Sequence, residues 1–330
     1  MRIKILGAGS WGTALALVLH NNGHQVSMWN WDALQAEKMM KDHENKAFLP
    51  GVPLPQELQV SADFTGLKEA EMVLFVVPSS VTGQVAEQVR GLISPETVLV
   101  SCAKGFSPDT QERLSQVIGR VFPDNRICAL SGPTHAEEVG RGLPTTIVCA
   151  GDDADLLPQV QDVFMNEMFR VYTNSDIIGV EIGGSLKNII ALGAGVIEGL
   201  GLGDNAKAAL VTRGLVEITR LGEALGAQRE TFFGLAGLGD LVVTAGSRHS
   251  RNFRAGIRIG EGIPWPQVLE EMGMVVEGVY ATENAYKLAA KHQIRMPITQ
   301  EIHAMLYDNR APKEAMFNLM TRSKSWEYIK

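Results

Sequence analysis

A lysine and an asparagine interrupt a long apolar stretch in the second half of the chain. Lys187 and Asn188 lie in a segment that otherwise reads as a helix rich in Ala, Gly and Leu. Burying a charged amine is costly unless the amine is paired or used in chemistry. Two interpretations follow: a structural ion pair with Asp240 or Glu181, or a lysine that transfers protons. Desolvation disfavours the ammonium form, which would make a neutral general base accessible.

Two further groups of polar residues stand out in the second half of the chain. Asp240 and Thr244 follow a glycine-rich segment, and Ser250, Arg251 and Asn252 stand at the start of a predicted helix. An arginine beside the backbone N–H groups of a helix N-terminus is well suited to bind a phosphate. A surface helix cap is the alternative interpretation of the second group.

A glycine-rich loop stands near the N-terminus. Gly7, Gly9 and Gly12 have the spacing Gly-x-Gly-x-x-Gly, with a β-rich run at 3–6 before them and a helical pattern at 10–22 after them. In that context the glycines permit a tight turn, close backbone approach to a pyrophosphate, and packing of the helix on the strand. The helix N-terminus supplies N–H groups for phosphates. We expect a dinucleotide here; a tight turn without a ligand is the alternative.

The residues after the second strand do not distinguish NAD from NADP as the cofactor. An acidic residue at the end of that strand would bind the ribose hydroxyls of NAD. Asp32 lies 20 residues beyond Gly12, about where such a residue is expected. The strand pattern ends at position 29, however, which places Asn30 or Trp31 at its tip. Neither is acidic, and no arginine stands there for a 2′-phosphate.

Three loops follow predicted strands at the carboxyl edge of the sheet, where open α/β sheets bind ligands. The loop at 76–78 is placed to pack against a nicotinamide. The next loop presents Lys104, for which an ordinary solvated lysine is the alternative interpretation. The third, 131–134, opens a short helix and offers N–H groups and a hydroxyl.

The elements that must position these residues fall into two regions. Strands are predicted at 3–6, 26–29, 72–77, 98–102, 127–130, 145–149 and 169–172, separated mostly by helical stretches such as 10–22, 79–92 and 111–121. This alternation predicts a mostly parallel sheet with both faces covered. Helices follow at 177–227 with a break near 201–204, then at 248–260, 265–272, 280–292, 298–308 and 312–320.

The fold class predicted is therefore α/β. An N-terminal Rossmann-like domain, 1–176, with a mostly parallel sheet precedes a C-terminal all-α domain, 177–330. Small residues recur at four-residue spacing in the first long helix, for example at 191, 195 and 199. Because each helical glycine costs about 1 kcal/mol relative to alanine, this spacing indicates close backbone approach, either to another helix or to a ligand.

Composition and net charge narrow the classes of possible binding partner. The net charge of −7, from 30 basic and 37 acidic residues, and the lack of a basic tract argue against nucleic acid. We expect no signal peptide and no membrane insertion, because no uninterrupted apolar run is long enough to span a bilayer. Cys102, Cys128 and Cys149 match no zinc or disulfide spacing, so we expect buried thiols in a reducing cytoplasm and no metal.

Taken together, the motifs resemble the NAD(P)-dependent glycerol-3-phosphate dehydrogenase family of bacterial type. The resemblance spans most of the chain in family order. It rests on the segments GAGSWGTALA (7–16), VVPS (76–79), CAKGF (102–106), SGPTHAEEV (131–139), GGSLKNIIALGAG (183–195), TRGLVEITRLG (212–222), GLAGLGDLVVT (234–244), SRN (250–252) and VVEG (275–278).

The resemblance implies reversible reduction of dihydroxyacetone phosphate to sn-glycerol 3-phosphate with NAD or NADP, and a helical domain like that of 6-phosphogluconate dehydrogenase. It implies Lys187 as the general acid/base. Substrate contacts carry over to Lys104, Gly132, Thr134, Lys187, Asp240, Ser250, Arg251 and Asn252. Cofactor contacts carry over to Ser10, Trp11, Lys104, Ala136, Arg251, Val275 and Glu277, beside Gly7, Gly9 and Gly12 of the loop. Trp31 is the counterpart of a histidine or arginine that related enzymes often have at the ribose end.

Two other functions remain in view at this point. One is a related two-domain dehydrogenase acting on a hydroxy acid or sugar acid, and the other is a dinucleotide sensor that has lost catalysis. Intact Lys104, Lys187 and Asp240 argue against the sensor. The family implies a cytoplasmic enzyme that supplies glycerol 3-phosphate for phospholipids. The oligomeric state stays open, with a homodimer as one option.

Overall fold

The computed structural model describes residues 1–324, 326 and 327. One eight-stranded sheet has the order β3-β2-β1-β4-β5-β6-β7-β8, and every neighbouring pair is parallel except β6 and β7. The strands are β1 (Arg2–Leu6), β2 (Gln25–Trp29), β3 (Gln59–Ser61), β4 (Met72–Phe75), β5 (Val98–Ser101), β6 (Ile127–Ser131), β7 (Thr145–Ala150) and β8 (Phe169–Asn174).

Helices alternate with the strands in the first half of the chain and follow one another without intervening strands in the second half. The early ones are α1 (Ser10–Asn21), α2 (Ala33–Asp42), α3 (Thr82–Gln88), α4 (Leu114–Val121), α5 (Ala136–Val139) and α6 (Leu156–Phe164). The later ones are α7 (Ile177–Gly199), α8 (Gly203–Ala224), α9 (Asp240–Gly246), α10 (Arg251–Gly260), α11 (Trp265–Met272), α12 (Glu277–Lys291), α13 (Pro297–Tyr307) and α14 (Pro312–Met320). Short 3₁₀ turns lie at Ser79–Val81 and Arg229–Phe233, and a π-helical turn at Leu235–Gly239.

The described chain forms two compact units. The first comprises Met1–Ser185 and Gly222–Val243, and the second comprises Leu186–Leu221 and Thr244–Lys330. The predicted α/β class is confirmed, with a mostly parallel sheet followed by helices. The division of domains between residues 176 and 177 stays a prediction.

The sheet of the first unit is covered on both faces, as its continuous apolar strands predict. Ile3 and Ile5 of β1 belong to one buried cluster, while Leu6 and Phe75 belong to a second. Strand β3, which is three residues long and has a polar residue at each end, was not predicted from the sequence. Helix α2, which connects β2 to β3, was not predicted either.

The longest helix of the chain, α7, is a core helix. By length and composition it could cross a membrane, but 94% of its most apolar window is buried inside the protein. Within the second unit, a Cβ added to Gly195 or Gly199 would collide with the backbone of α10 at Phe253 or Ile257. The close backbone approach predicted from the small-residue spacing is therefore confirmed.

The three cysteines are buried free thiols, as predicted. Burial, reinforced by Cys149, raises the pKa of the Cys102 thiol. A hydrogen bond with Cys149, together with burial, raises the pKa of the Cys128 thiol. A protonated buried thiol is a poor nucleophile and a poor metal ligand, so Cys102 and Cys128 pack as small apolar side chains.

Candidate functional site

The glycine-rich loop between β1 and α1 has the geometry that a pyrophosphate requires. Gly7 has a φ of +122°, and a Cβ there would lie 2.9 Å from the backbone carbon of Val76. A Cβ on Gly12 would collide with the Gly7 carbonyl oxygen, so this glycine lets α1 start directly against the strand. A Cβ on Gly9 would meet nothing within 4 Å, which leaves its backbone open to a ligand. The loop therefore fits a dinucleotide.

The first turn of α1 is anchored to the end of a neighbouring strand. Ser10 begins the helix, and the indole Nε1 of Trp11 donates a hydrogen bond to the Cys102 carbonyl oxygen at 3.2 Å. Cys102 directly follows β5 and lies two residues before Lys104. This bond therefore ties the glycine-rich loop to the loop that carries Lys104.

The turn after β2 contains one acidic residue and is held by side-chain hydrogen bonds. Trp31 is 80% exposed, whereas Asn30 is 3% exposed. Asn30 Oδ1 accepts a hydrogen bond from the Asp32 amide at 3.1 Å, and Asp32 Oδ1 accepts one from the Gln35 amide at 3.1 Å. Asp32 is thus the N-cap of α2.

Lys104 is held in a specific polar environment rather than lying free in solvent. Its Nζ donates hydrogen bonds to Asp240 Oδ2 at 2.7 Å and to the Gly132 carbonyl oxygen at 2.8 Å. Thr134 Oγ1 lies 3.5 Å from the same amine and donates to the Gly132 carbonyl oxygen at 3.0 Å. The side chain of Lys104 is 18% exposed and that of Asp240 is 1% exposed. These four predicted substrate residues therefore form one cluster in the first unit, and Ala136 begins α5 two residues beyond Thr134.

A serine and a glycine beside this cluster lie in predicted motifs but were not among the predicted site residues. Ser131, at the end of β6, is 4% exposed, and its buried Oγ has no hydrogen-bond partner among the residues that the structure describes. A Cβ on Gly184 of α7 would collide with that Oγ and would lie 3.6 Å from Lys104 Cγ. Gly184 therefore allows α7 to pack closely on Ser131 and on the aliphatic part of Lys104.

Lys187 is buried in the second unit, at 5% exposure. Its Nζ donates a hydrogen bond to Thr244 Oγ1 at 2.7 Å. Glu181, one of the two ion-pair partners considered for Lys187, is bound by other groups. Its carboxylate accepts hydrogen bonds from Arg113 Nη1 at 2.6 Å and from the Ser115 amide at 2.9 Å.

The residues that directly follow Lys187 and Arg251 are joined in a buried junction. Asn252 Nδ2 donates to Asn188 Oδ1 at 2.8 Å, and Asn252 Oδ1 accepts from the Gly278 amide at 2.8 Å. The two asparagines are 5% and 7% exposed. The junction connects α7, α10 and the first turn of α12.

Three predicted ligand residues are next to members of this junction in the chain, so the junction restricts where their backbones lie. Lys187, Arg251 and Glu277 each directly precede one of its three members. Ser250 is the N-cap of α10, where its Oγ accepts from the Phe253 amide at 3.2 Å. Val275 is half-buried, two residues before α12. The pairing of the two asparagines could not be found from the sequence, because nothing local indicates which distant polar group each one bonds.

A buried carboxylate on α8 belongs to the second unit. Glu217 of α8 accepts hydrogen bonds from the Ile298 amide at 2.7 Å and the Thr299 amide at 3.1 Å, in the first turn of α13. Burial raises the pKa of Glu217 to about 7, although these hydrogen bonds oppose the shift. Among the described residues, no group of three or more His, Cys, Asp or Glu side chains has a geometry that could hold a metal.

Two family models match consecutive parts of the chain. The model of the NAD-dependent glycerol-3-phosphate dehydrogenase N-terminus matches residues 2–157, and that of the C-terminus matches residues 176–317. A protein of Carboxydothermus hydrogenoformans named glycerol-3-phosphate dehydrogenase (NAD(P)+) is 50% identical over 330 residues, covering 99% of this chain and 98% of that protein. A protein of the same name from Desulfitobacterium hafniense is 49% identical over 326 residues, covering 99% and 93%.

Comparison with solved structures also finds a glycerol-3-phosphate dehydrogenase. The crystal structure of glycerol-3-phosphate dehydrogenase from Coxiella burnetii has a TM-score of 0.94 and 38% identity, and covers 97% of this chain and 99% of that one. A ketopantoate reductase from Ralstonia eutropha has a TM-score of 0.63 at 16% identity, which shows a likeness of fold alone.

Proposed function

Because the chain belongs to the NAD-dependent glycerol-3-phosphate dehydrogenase family, we propose that it reversibly reduces dihydroxyacetone phosphate to sn-glycerol 3-phosphate. NAD or NADP is the cofactor of this family. The observation that carries the proposal for the site is the buried amine of Lys187, held by Thr244 Oγ1 at 2.7 Å. A buried, oriented amine is suited to proton transfer rather than to solvation.

The dinucleotide would be held by the glycine-rich loop, with its pyrophosphate over Gly9 and at the N-terminus of α1. Trp11, Ala136, Val275 and Glu277 would add further contacts. When bound, the nicotinamide supplies the hydride for reduction or accepts it in the reverse direction. The protein must bind and orient the substrate, stabilise the developing charge and transfer the proton.

Reduction of the ketone leaves negative charge on the C2 oxygen, which must receive a proton. Lys187 would donate that proton from Nζ to the C2 oxygen and would remove it in the reverse reaction. Lys104 would stabilise the developing charge through its ammonium group. Asp240, which accepts a hydrogen bond from Lys104 at 2.7 Å, would keep that ammonium oriented.

The phosphate would bind at the N-terminus of α10. Arg251 supplies a guanidinium, and Asn252 supplies a first-turn backbone N–H while its side chain stays in the junction with Asn188. Ser250 caps the helix and keeps the turn in place. Binding energy from this remote group would position C2 for reaction. Gly132 and Thr134 would contact the substrate beside Lys104.

We further propose a cytoplasmic enzyme that provides glycerol 3-phosphate for phospholipid synthesis, without nucleic-acid partners or membrane insertion. The net charge of −7 and the buried position of the apolar helix α7 support these two exclusions. A homodimer stays one option for the oligomeric state.

Initial-rate measurements test the proposed reaction. Oxidation of reduced cofactor should be fast with dihydroxyacetone phosphate and slow with unphosphorylated dihydroxyacetone, 2-keto acids and sugar acids. Preferred turnover of a keto acid or sugar acid would instead support the related dehydrogenase. Cofactor binding with no turnover on any of these substrates would support the sensor.

A further inference from the structure

The turn after β2 fixes a carboxylate at the edge of the sheet. The Asp32 amide donates a hydrogen bond to Asn30 Oδ1, and Asp32 Oδ1 accepts one from the Gln35 amide and so caps α2. Within the described residues, its second oxygen, Oδ2, accepts no hydrogen bond. The carboxylate is therefore held in place and still has one oxygen available for a ligand.

No positive charge accompanies this carboxylate along the turn. Residues 30–37 contain Asp32 and Glu37 but no lysine, arginine or histidine. Trp31 adds an exposed, uncharged indole. A dianionic group placed at this turn would therefore meet the Asp32 carboxylate, and the first cation of the segment is Lys38, six residues further along α2.

The neighbouring strand, β3, is also followed by an acidic residue. Trp29 of β2 pairs with Ser61 of β3 in a parallel register, so both strands end at the same edge. Asp63 lies two residues beyond Ser61, and a hydrogen bond from the Thr65 amide lowers the pKa of its carboxyl group. Asp63 is therefore ionised at neutral pH and adds negative charge at this end of the sheet.

From this geometry we propose that Asp32 makes NADH the preferred coenzyme and disfavours NADPH. In dinucleotide-binding sheets the adenosine ribose lies at the end of the second strand, where a carboxylate accepts hydrogen bonds from its hydroxyls and an arginine accommodates a 2′-phosphate. The two coenzymes differ only in that phosphate. The inference rests on the proposed dinucleotide site and names the coenzyme that this site would select.

Calorimetric titration of the full chain with NADH and with NADPH measures the preference without turnover. The dissociation constant of NADPH should exceed that of NADH by about tenfold or more at low ionic strength, a difference of about 1.4 kcal/mol. Because the unfavourable interaction is electrostatic and exposed, the ratio should fall as salt is added.

Two single variants distinguish a specific effect of Asp32 from a general effect of negative charge on α2. Asp32→Asn keeps a good N-cap for α2 and removes one negative charge, so it should tighten NADPH binding and weaken NADH binding. Glu37→Gln removes the same charge from an exposed position on the same helix and should leave the ratio of the two dissociation constants unchanged.

The outcomes distinguish this inference from the proposed function. NADPH binding as tightly as NADH, or an unchanged ratio in Asp32→Asn, would overturn the coenzyme preference and leave the dehydrogenase proposal standing. Failure of both dinucleotides to bind would overturn both proposals.

Discussion

Asn252 Nδ2 donates a hydrogen bond to Asn188 Oδ1 across 2.8 Å, and so joins the residues that follow Arg251 and Lys187 in the chain. One buried bond thereby links the group proposed to bind the substrate phosphate to the group proposed to move its proton. The Gly278 amide, bonded to Asn252 Oδ1 at 2.8 Å, adds the start of α12 to the same junction.

Replacing Asn252 by alanine tests this junction. Asn252→Ala leaves the Gly278 amide and Asn188 Oδ1 buried without these partners, which should lower the free energy of unfolding by about 1–3 kcal/mol for each group left unsatisfied. Turnover should fall and the KM for dihydroxyacetone phosphate should rise, because Lys187 and Arg251 lose their common support. Urea unfolding and steady-state kinetics measure the two effects.

The control is Thr219→Val, which removes a buried hydroxyl that donates to the Leu215 carbonyl oxygen within α8. It should lower stability without changing KM. Unchanged kinetics in folded Asn252→Ala would show that the junction only stabilises the unit.

Gly184→Ala should destabilise the protein although alanine favours helices by about 1 kcal/mol over glycine. The added Cβ collides with Ser131 Oγ, whereas its distances to Ser131 Cβ and Lys104 Cγ are 3.6 Å, an ordinary contact. Removing the hydroxyl in Ser131→Ala/Gly184→Ala should therefore restore stability and activity. Thermal unfolding and turnover of the single and double variants measure the rescue.

Gly246→Ala is the matched control, because a Cβ at this helical glycine meets nothing within 4 Å. It should be neutral or stabilising. A double variant no more stable than Gly184→Ala alone would rule out the contact with Ser131 as the reason for glycine at this position.

Glu217 gives the stability a defined pH dependence. Burial raises its folded-state pKa to about 7, above the usual 4.5, so the native state binds the proton more tightly than the unfolded state does. The contribution of Glu217 to stability is therefore complete below about pH 4.5, is lost between about pH 4.5 and 7, and changes no further above that range.

Glu217→Gln should remove this dependence. Relative to the variant, the parent protein should lose about 2–3 kcal/mol of unfolding free energy between about pH 5 and pH 8. Urea unfolding at several pH values measures the difference, with exposed Glu223→Gln on the same helix as the control. A difference that does not vary with pH would mean that Glu217 titrates at its ordinary pKa.

Arg251→Ala should selectively weaken the use of phosphorylated substrate. The loss of a guanidinium at the N-terminus of α10 should raise the KM for dihydroxyacetone phosphate by at least about tenfold, since hydrogen bonds to charged groups contribute about 1.5–3 kcal/mol. The weak activity with unphosphorylated dihydroxyacetone should hardly change. An equal loss with both substrates would remove Arg251 from the phosphate site.

Much of the fold could be predicted from the sequence because its signals are local. The glycine-rich loop, the apolar strands and the small-residue spacing of α7 each follow from nearby residues, and the structure contains all three. The short strand β3 has no such signal, because it has only one buried residue.

The candidate site could be predicted only in part for the same reason. Residue types and motif spacing singled out Lys104 and Asp240, but not the 2.7 Å bond between them. The collision that requires Gly184 depends on Ser131, which is 53 positions away in the chain and packs there only once the sheet and α7 have formed. Such long-range partners are set by tertiary packing and leave no pattern in the nearby sequence.

Turnover of Lys187→Ala tests the central claim most directly. With cofactor binding confirmed by titration and folding confirmed by thermal unfolding, reduction of dihydroxyacetone phosphate should be slower by roughly 10²–10⁴-fold, the usual contribution of a general acid. Exposed Lys291→Ala, on α12, should retain full activity. Near-normal turnover in Lys187→Ala would contradict the assignment of this amine as the proton donor.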